Sequence, residues 1–284
     1  MRTTSINTPY QSLPGQLGKV YLVGAGPGAV DLITVRGAKL LEQSDIVFYD
    51  ALVDPEMLHL CPQAVQVAVG KRCGKLSSAQ QFINKRLVDA AQKYQTVVRL
   101  KGGDPMLFGR ADEEIQTLKA AGLAVEVVPG ITAALAGAAS IGQSLTLRGV
   151  SRSVAFVTLA QGTENLTAGH PIANPCADTL VYYMGRKDAA KIAQRLIEQW
   201  QHGGSHQQDT PVQILEAVST PRERLWSSTL QELADGKADA WFDSSLPALI
   251  MVGEALRDPS QSTSAKINNG LQDSNIFANS RRRA

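Results

Sequence analysis

Cysteine is scarce in this 284-residue chain, which has three: Cys61, Cys73 and Cys176. An odd number with no C-x-x-C pair argues against a disulfide framework or a zinc site and fits a reducing cytoplasm. Histidine is nearly as sparse, with four. Only His202 and His206 lie close together, and Gly203, Gly204 and Ser205 between them break any helical face that would present both to a metal. A solvated loop is expected there, and no metal site. No apolar run approaches the ~20 residues that cross a bilayer, so no membrane partner is expected. The longest weakly polar stretch, 131–142, is rich in Ala and Gly and reads as a buried helix. Neither sign of charge dominates: 28 Lys and Arg against 26 Asp and Glu leave a formal +2, and aromatics make up only 5%. Without a basic stripe interleaved with aromatics, nucleic acid is not an expected partner. Residues 1–18 lack both the apolar core of a signal peptide and the Arg-rich pattern of a transit peptide, and are expected to form a flexible leader.

What is present is an ordinary globular composition, 44% hydrophobic and 19% charged, long enough for two α/β lobes. Residues 19–23 form a short apolar strand that runs into Gly24-Ala25-Gly26-Pro27-Gly28, after which Leu32, Ile33, Val35, Leu40 and Leu41 follow at mostly helical spacing. Strands expected at 45–50, 65–69, 96–100 and 125–128 alternate with helices at 79–93, 112–121 and the Ala-rich segment. Such alternation implies a parallel sheet. A second series has strands at 154–159, 179–184, 212–215 and 249–252 and helices at 188–200 and 229–236. The expected fold class is therefore α/β and two-lobed, with mostly parallel sheets flanked by helices. The amino-terminal lobe spans 19–143 and the carboxy-terminal lobe 144–257. Residues 161–178 form an irregular connection and 258–284, rich in Ser, Asn, Gln and Arg, a disordered tail.

Several turns carry chemistry. Gly24 to Ala29 satisfies a relaxed G-x-G-x-x-A dinucleotide fingerprint, with Asp45 or Asp50 as the acidic residue about 20 positions on. Alone, it is equally a βα turn that binds nothing. A second loop, Lys101-Gly102-Gly103-Asp104-Pro105, joins flexible backbone to a carboxylate that would face hydroxyls or a cationic ligand end. In Pro129-Gly130-Ile131-Thr132-Ala133 small residues open a helix beside the Thr132 hydroxyl, and Tyr182-Tyr183-Met184-Gly185 ends a strand in a thioether.

Taken in order, V-G-A-G-P-G at 23–28, Tyr49-Asp50, G-K-R at 70–72, G-G-D-P-x-x-F-G-R at 102–110, P-G-I-T-A at 129–133 and Y-M-G at 183–185 resemble the tetrapyrrole methylase family over about residues 19–256. The resemblance implies a homodimer of two α/β lobes with the active cleft between them and S-adenosyl-L-methionine as methyl donor. The activity it implies is C-methylation of uroporphyrinogen III at C2 and C7 to give precorrin-2, a small-molecule tetrapyrrole substrate, with no further module. It places Pro27, Gly102, Gly103, Asp104, Leu107, Thr132, Ala133, Met184 and Val218 at the cofactor. Asp50 becomes the proton acceptor, Lys71 the proton donor and Arg110 the basic residue beside substrate. Because that substrate bears a carboxylate on every peripheral arm, Lys71, Arg72, Lys75, Arg99, Lys101, Arg110, Arg148 and Arg152 are candidate cations for it. The chain departs from the family pattern at Leu147, Leu159 and Ala160, where imidazole-containing motifs are common, and at Val218, where glycine is. Alternatives are a methyltransferase for a later precorrin, an NAD(P)-dependent oxidoreductase using the Gly24–Gly28 turn, and a non-catalytic binder of the cofactor.

Overall fold

The computed structural model describes residues 17–69, 76–158, 176–200 and 203–258. These fall into two compact units, the first running to Ser140 and also taking in Ala217–Glu223. In the first unit β1 (Lys19–Gly24), β2 (Ile46–Tyr49), β3 (Val65–Ala68), β4 (Thr96–Lys101) and β5 (Val125–Val128) lie in the order β3-β2-β4-β1-β5. Every pairing is parallel. Helices α1 (Val35–Glu42), α2 (Leu76–Ala91), α3 (Ala111–Ala120) and α4 (Ala133–Ser140) connect or follow the strands.

An all-parallel sheet needs cover on both faces, and the period-two alternation of its strands supplies apolar groups to each. Val20, Ile46, Phe48 and Val97 pack with Leu87 of α2 and Leu118 of α3. Val23, Val47, Val98, Leu100 and Val128 pack instead with Leu41 of α1 and with Met57. Each such fully buried side chain stabilises the fold by about 1.5–3 kcal/mol relative to exposure. Arg99 and Lys101 continue the Val97 face of β4, which puts two cations under α2 and α3.

The second unit holds β6 (Val154–Thr158), β7 (Thr179–Tyr183), β8 (Pro211–Glu216), β9 (Arg224–Thr229) and β10 (Ala248–Gly253), in the order β6-β7-β10-β8-β9. Helices α5 (Ala189–Trp200) and α6 (Leu230–Ala234) pack Ile192, Leu196, Leu230 and Leu233 on Leu180, Val212, Ile214 and Ile250. Only β6 and β7 pair in parallel; β10 runs antiparallel to β7 and β8, and β8 to β9. This sheet is thus mixed, although the expectation was mostly parallel, because β10 inserts antiparallel between β7 and β8 and β9 folds back on β8. Nothing in 224–229 predicts a strand, since at the sheet edge none of its residues is buried and no alternation results.

Two local expectations are corrected. His206 is not in solvent: it is 5% exposed, with Nε2 3.0 Å from the Ala177 carbonyl. Burial pushes its imidazole pKa below the usual value. Gly18, placed at the end of a flexible leader, donates its N–H to the Ala91 carbonyl at 2.7 Å. Residues 1–16, 161–175 and 259–284, covering most of the leader, connection and tail, lie outside the described residues. Among those described, no helix is long and apolar enough to cross a membrane.

Candidate functional site

In the first sheet the chain leaves β1 toward β2 on one side and leaves β4 toward β5 on the other. Neighbouring strands whose connections diverge open a crevice at their carboxyl ends, where ligands of open α/β sheets bind. The glycine loops meet at that point. Gly26 and Gly103 bridge antiparallel, each donating its N–H to the other's carbonyl at 3.2 and 2.6 Å, and Ala25 N–H donates to the Lys101 carbonyl at 2.8 Å. The turn after β5 closes on both: a Cβ on Gly24 would stand 2.6 Å from Gly130 Cα and 2.7 Å from the Gly103 oxygen. Gly103 itself, at φ +69°, has open space where a Cβ would go.

Asp104 holds these loops together. One carboxylate oxygen accepts from Met106 N–H at 2.8 Å and the other from Gly130 N–H at 2.9 Å, so its first task is to tie the loop after β4 to the turn after β5. Leu107 N–H caps the same loop on the Asp104 carbonyl at 3.3 Å. Thr132 is buried and its carbonyl accepts the first bonds of α4, which Ala133 opens. Pro27, half-buried, lies in the turn after β1. Val218 is buried in the 217–223 loop, which joins this unit through Ser219: its hydroxyl accepts from Ala29 N–H at 3.1 Å. Glu223 clamps the loop, accepting from Ser219 N–H and from the Ser140 hydroxyl. Eight of the nine expected cofactor residues therefore belong to the first unit. Met184 belongs to the second, at the end of β7, exposed and at φ 57°.

Asp50 follows β2 and faces the same crevice end. Its Oδ1 accepts from Leu52 N–H at 3.1 Å and its Oδ2 stands 3.5 Å from Arg99 Nη2. Arg110 begins α3 at φ 55° and forks onto Glu113, Nε to Oε1 and Nη2 to Oε2, both at 2.6 Å. That pairing holds the Glu113 carboxyl below the usual carboxylate range. Lys71, with Arg72, Cys73 and Lys75, lies outside the described residues.

Two of the cations expected to face the substrate do not. Arg99 and Lys101 are buried against Glu114, at 3.2 Å each, because the alternation of β4 turns them under α3. Burial, and then the neighbouring Arg99 charge, lower the Lys101 pKa. Arg148 and Arg152, in the second unit, are exposed. Asp45, a candidate acidic partner for a dinucleotide, sits at the amino end of β2 and accepts from Gln95 and Thr96 N–H at 3.0 and 2.8 Å. It lies at the opposite end of β2 from the glycine turn, so of the two candidate acidic residues only Asp50 stands at the crevice end.

The structure adds backbone strain that the sequence did not show. Phe108, Ala217 and Ser219 join Arg110 and Met184 as the non-glycine residues with positive φ among those described. Each costs on the order of 1 kcal/mol, and such strain concentrates at ligand sites. All five lie in or beside the expected motifs. Among the described residues no group of three or more His, Cys, Asp or Glu is arranged to hold a metal ion.

Residues 19–234 match the tetrapyrrole (corrin/porphyrin) methylases. The siroheme synthase of Psychrobacter sp. (strain PRwf-1) is 43% identical over 250 residues, 87% of this chain and 50% of that protein. The chain thus spans about half the length of such siroheme synthases. Uroporphyrinogen-III C-methyltransferase of Pseudomonas aeruginosa is 41% identical over 241 residues, covering 85% of this chain and 95% of that protein. A solved structure of uroporphyrin-III C-methyl transferase from Thermus thermophilus, complexed with S-adenyl homocysteine, shares 38% identity at a TM-score of 0.70, over 84% of this chain and 94% of that one. With the crevice, its glycine loops and a family match that spans residues 19–234, this chain belongs to the tetrapyrrole (corrin/porphyrin) methylase family.

Proposed function

We propose that the chain is an S-adenosylmethionine-dependent C-methyltransferase that acts on uroporphyrinogen III at C2 and then C7, giving precorrin-2, as a homodimer in the cytoplasm. The observation that carries this reading is the closure of three glycine loops on one another at the switch point of a parallel sheet, with the Gly103 backbone left open to a ligand. Identity across nearly the whole length of the Pseudomonas aeruginosa methyltransferase supports the choice of substrate.

The residues fit the cofactor. The open space beside Gly103 Cα admits close approach of a ligand, while Pro27, Leu107, Ala133 and Val218 offer small or apolar surface and Thr132 a hydroxyl. S-adenosylmethionine, when bound, supplies a sulfonium methyl that is already electrophilic. The chain's own work is to hold the electron-rich pyrrole carbon in line with it and to exclude water. Asp50 takes the proton that the methylated ring sheds. Arg110 meets a substrate carboxylate with the planar fork that now engages Glu113. Lys71 is assigned the proton-donor role.

The test is anaerobic incubation with enzymatically generated uroporphyrinogen III and methyl-labelled S-adenosylmethionine, reading label per tetrapyrrole by mass spectrometry. Two methyl groups per ring are expected. No transfer, with S-adenosylhomocysteine still bound, would overturn the substrate and favour a later precorrin. Binding of NADH but not of S-adenosylhomocysteine would overturn the reaction class.

A further inference from the structure

Four charges meet on one face of the first sheet. The parallel register sets Phe48 of β2 beside Arg99 of β4, and the next residues on that face are Asp50 and Lys101. Arg99 and Lys101 are 3% and 4% exposed, and Glu114 of α3 is wholly buried. A carboxylate so placed persists only where cations and donors surround it. Glu114 has Arg99 Nε at 3.2 Å, Lys101 Nζ at 3.2 Å from both oxygens, and Gln80 Nε2 at 3.0 Å. It therefore joins β4, α2 and α3 through one side chain.

From that hub two connections run toward the crevice. The Arg99 guanidinium also donates through Nη1 to the Leu100 and Phe48 carbonyls, at 3.0 and 3.4 Å, and its Nη2 faces Asp50. Lys101 runs beneath the turn that leads into α3: a Cβ on Gly109 would stand 3.2 Å from Lys101 Cε. Phe108 and Arg110, on either side of Gly109, are both left-handed, and Arg110 is four residues before Glu114. The turn can hold that strained shape only if what lies beneath it is fixed.

We infer that Glu114 is a positioning residue: through Arg99 it fixes the carboxylate of Asp50, and through Lys101 and the first turn of α3 it fixes the guanidinium of Arg110. One buried side chain so sets the separation of two groups that never touch it. This rests on the roles proposed above for Asp50 and Arg110, and it assigns to the buried cations the task of transmitting geometry, not of binding substrate.

The test uses the full chain with Glu114→Gln and with the double variant Glu114→Gln/Lys101→Met, which removes one cation together with the anion. Glu114→Gln is expected to lower kcat about 100-fold, the scale of an ångström-level misplacement of reacting groups. Dissociation of S-adenosylhomocysteine should change less than about two-fold. In the double variant the melting temperature should return toward that of the parent while kcat stays low. If kcat returns with stability, Glu114 only balances buried charge and the inference is overturned. A second measurement needs no turnover: side-chain NMR of 15N-arginine-labelled protein, in which Glu114→Gln should shift the Nε–H signals of both Arg99 and Arg110. An unmoved Arg110 signal overturns the inference even in an active enzyme. A parent protein that methylates nothing overturns the proposed substrate, and the NMR result then decides the positioning role alone.

Discussion

An added Cβ at Gly103 would meet nothing within 4 Å, whereas one at Gly24 would press on Gly130 Cα at 2.6 Å. Gly103→Ala should therefore fold with a loss of about 1–2 kcal/mol for the left-handed backbone. Its methyl would enter the space left for the ligand, so calorimetry should show S-adenosylhomocysteine binding weakened about ten-fold or more. Gly24→Ala should instead lose about 1–3 kcal/mol through overpacking, read by chemical denaturation. For the reacting groups, Asp50→Asn and Arg110→Ala should each abolish turnover while leaving S-adenosylhomocysteine binding intact. Loss of binding in both would mean that these side chains belong to the cofactor subsite. The glycines were legible in the sequence because close backbone contact at Gly24 and Gly130 and a left-handed backbone at Gly103 both favour that residue type. The positive φ of Phe108, Ala217 and Ser219 was not, since a side chain forced into that conformation by its neighbours leaves no mark in its own identity. Glu114 was hidden differently: in Asp112-Glu113-Glu114 three adjacent carboxylates read alike, and only the partner strand decides which one is buried.

Among the elements, the 217–223 loop is held by few bonds, which makes it testable. Ser219→Ala removes the acceptor for Ala29 N–H, worth about 1 kcal/mol. Faster amide exchange at Ala29 is expected, with S-adenosylhomocysteine affinity reduced about five-fold. Unchanged exchange would mean that Glu223 alone suffices to hold the loop. The segment before β8 carries a pH response. His206 is lowered chiefly by burial, against the raising effects of the Ala177 carbonyl and of Asp178 and Glu254. The folded state thus prefers the neutral ring. Its contribution to stability is present above the unfolded value of about 6.5 and is lost as pH falls below that through the folded value. Denaturation midpoints should drop between pH 7 and pH 5, and less so in His206→Gln. Strands of the first sheet could be read from their short apolar runs to within a residue or two; β9 could not, because an exposed edge imposes no pattern.

At the scale of the whole molecule, the charge is nearly balanced at +2, so no strong long-range field draws in a polycarboxylate. Recognition then rests on local cations within a Debye length of the substrate. The KM for the tetrapyrrole should accordingly rise only about two- to five-fold between low and ~0.5 M salt, and a steeper rise would point to a basic surface instead. The parallel direction of the first sheet followed from its alternation of strands and helices, but its strand order and the mixed direction of the second sheet did not, because both are set by pairings between segments distant in the chain. The first unit is itself discontinuous: seven residues that secure the turn at Ala29 are encoded after β8. Trimming the gene to its first half would therefore yield a core with an unfinished rim, and a synthetic peptide of 217–223 added in trans is the piece that such a fragment would lack.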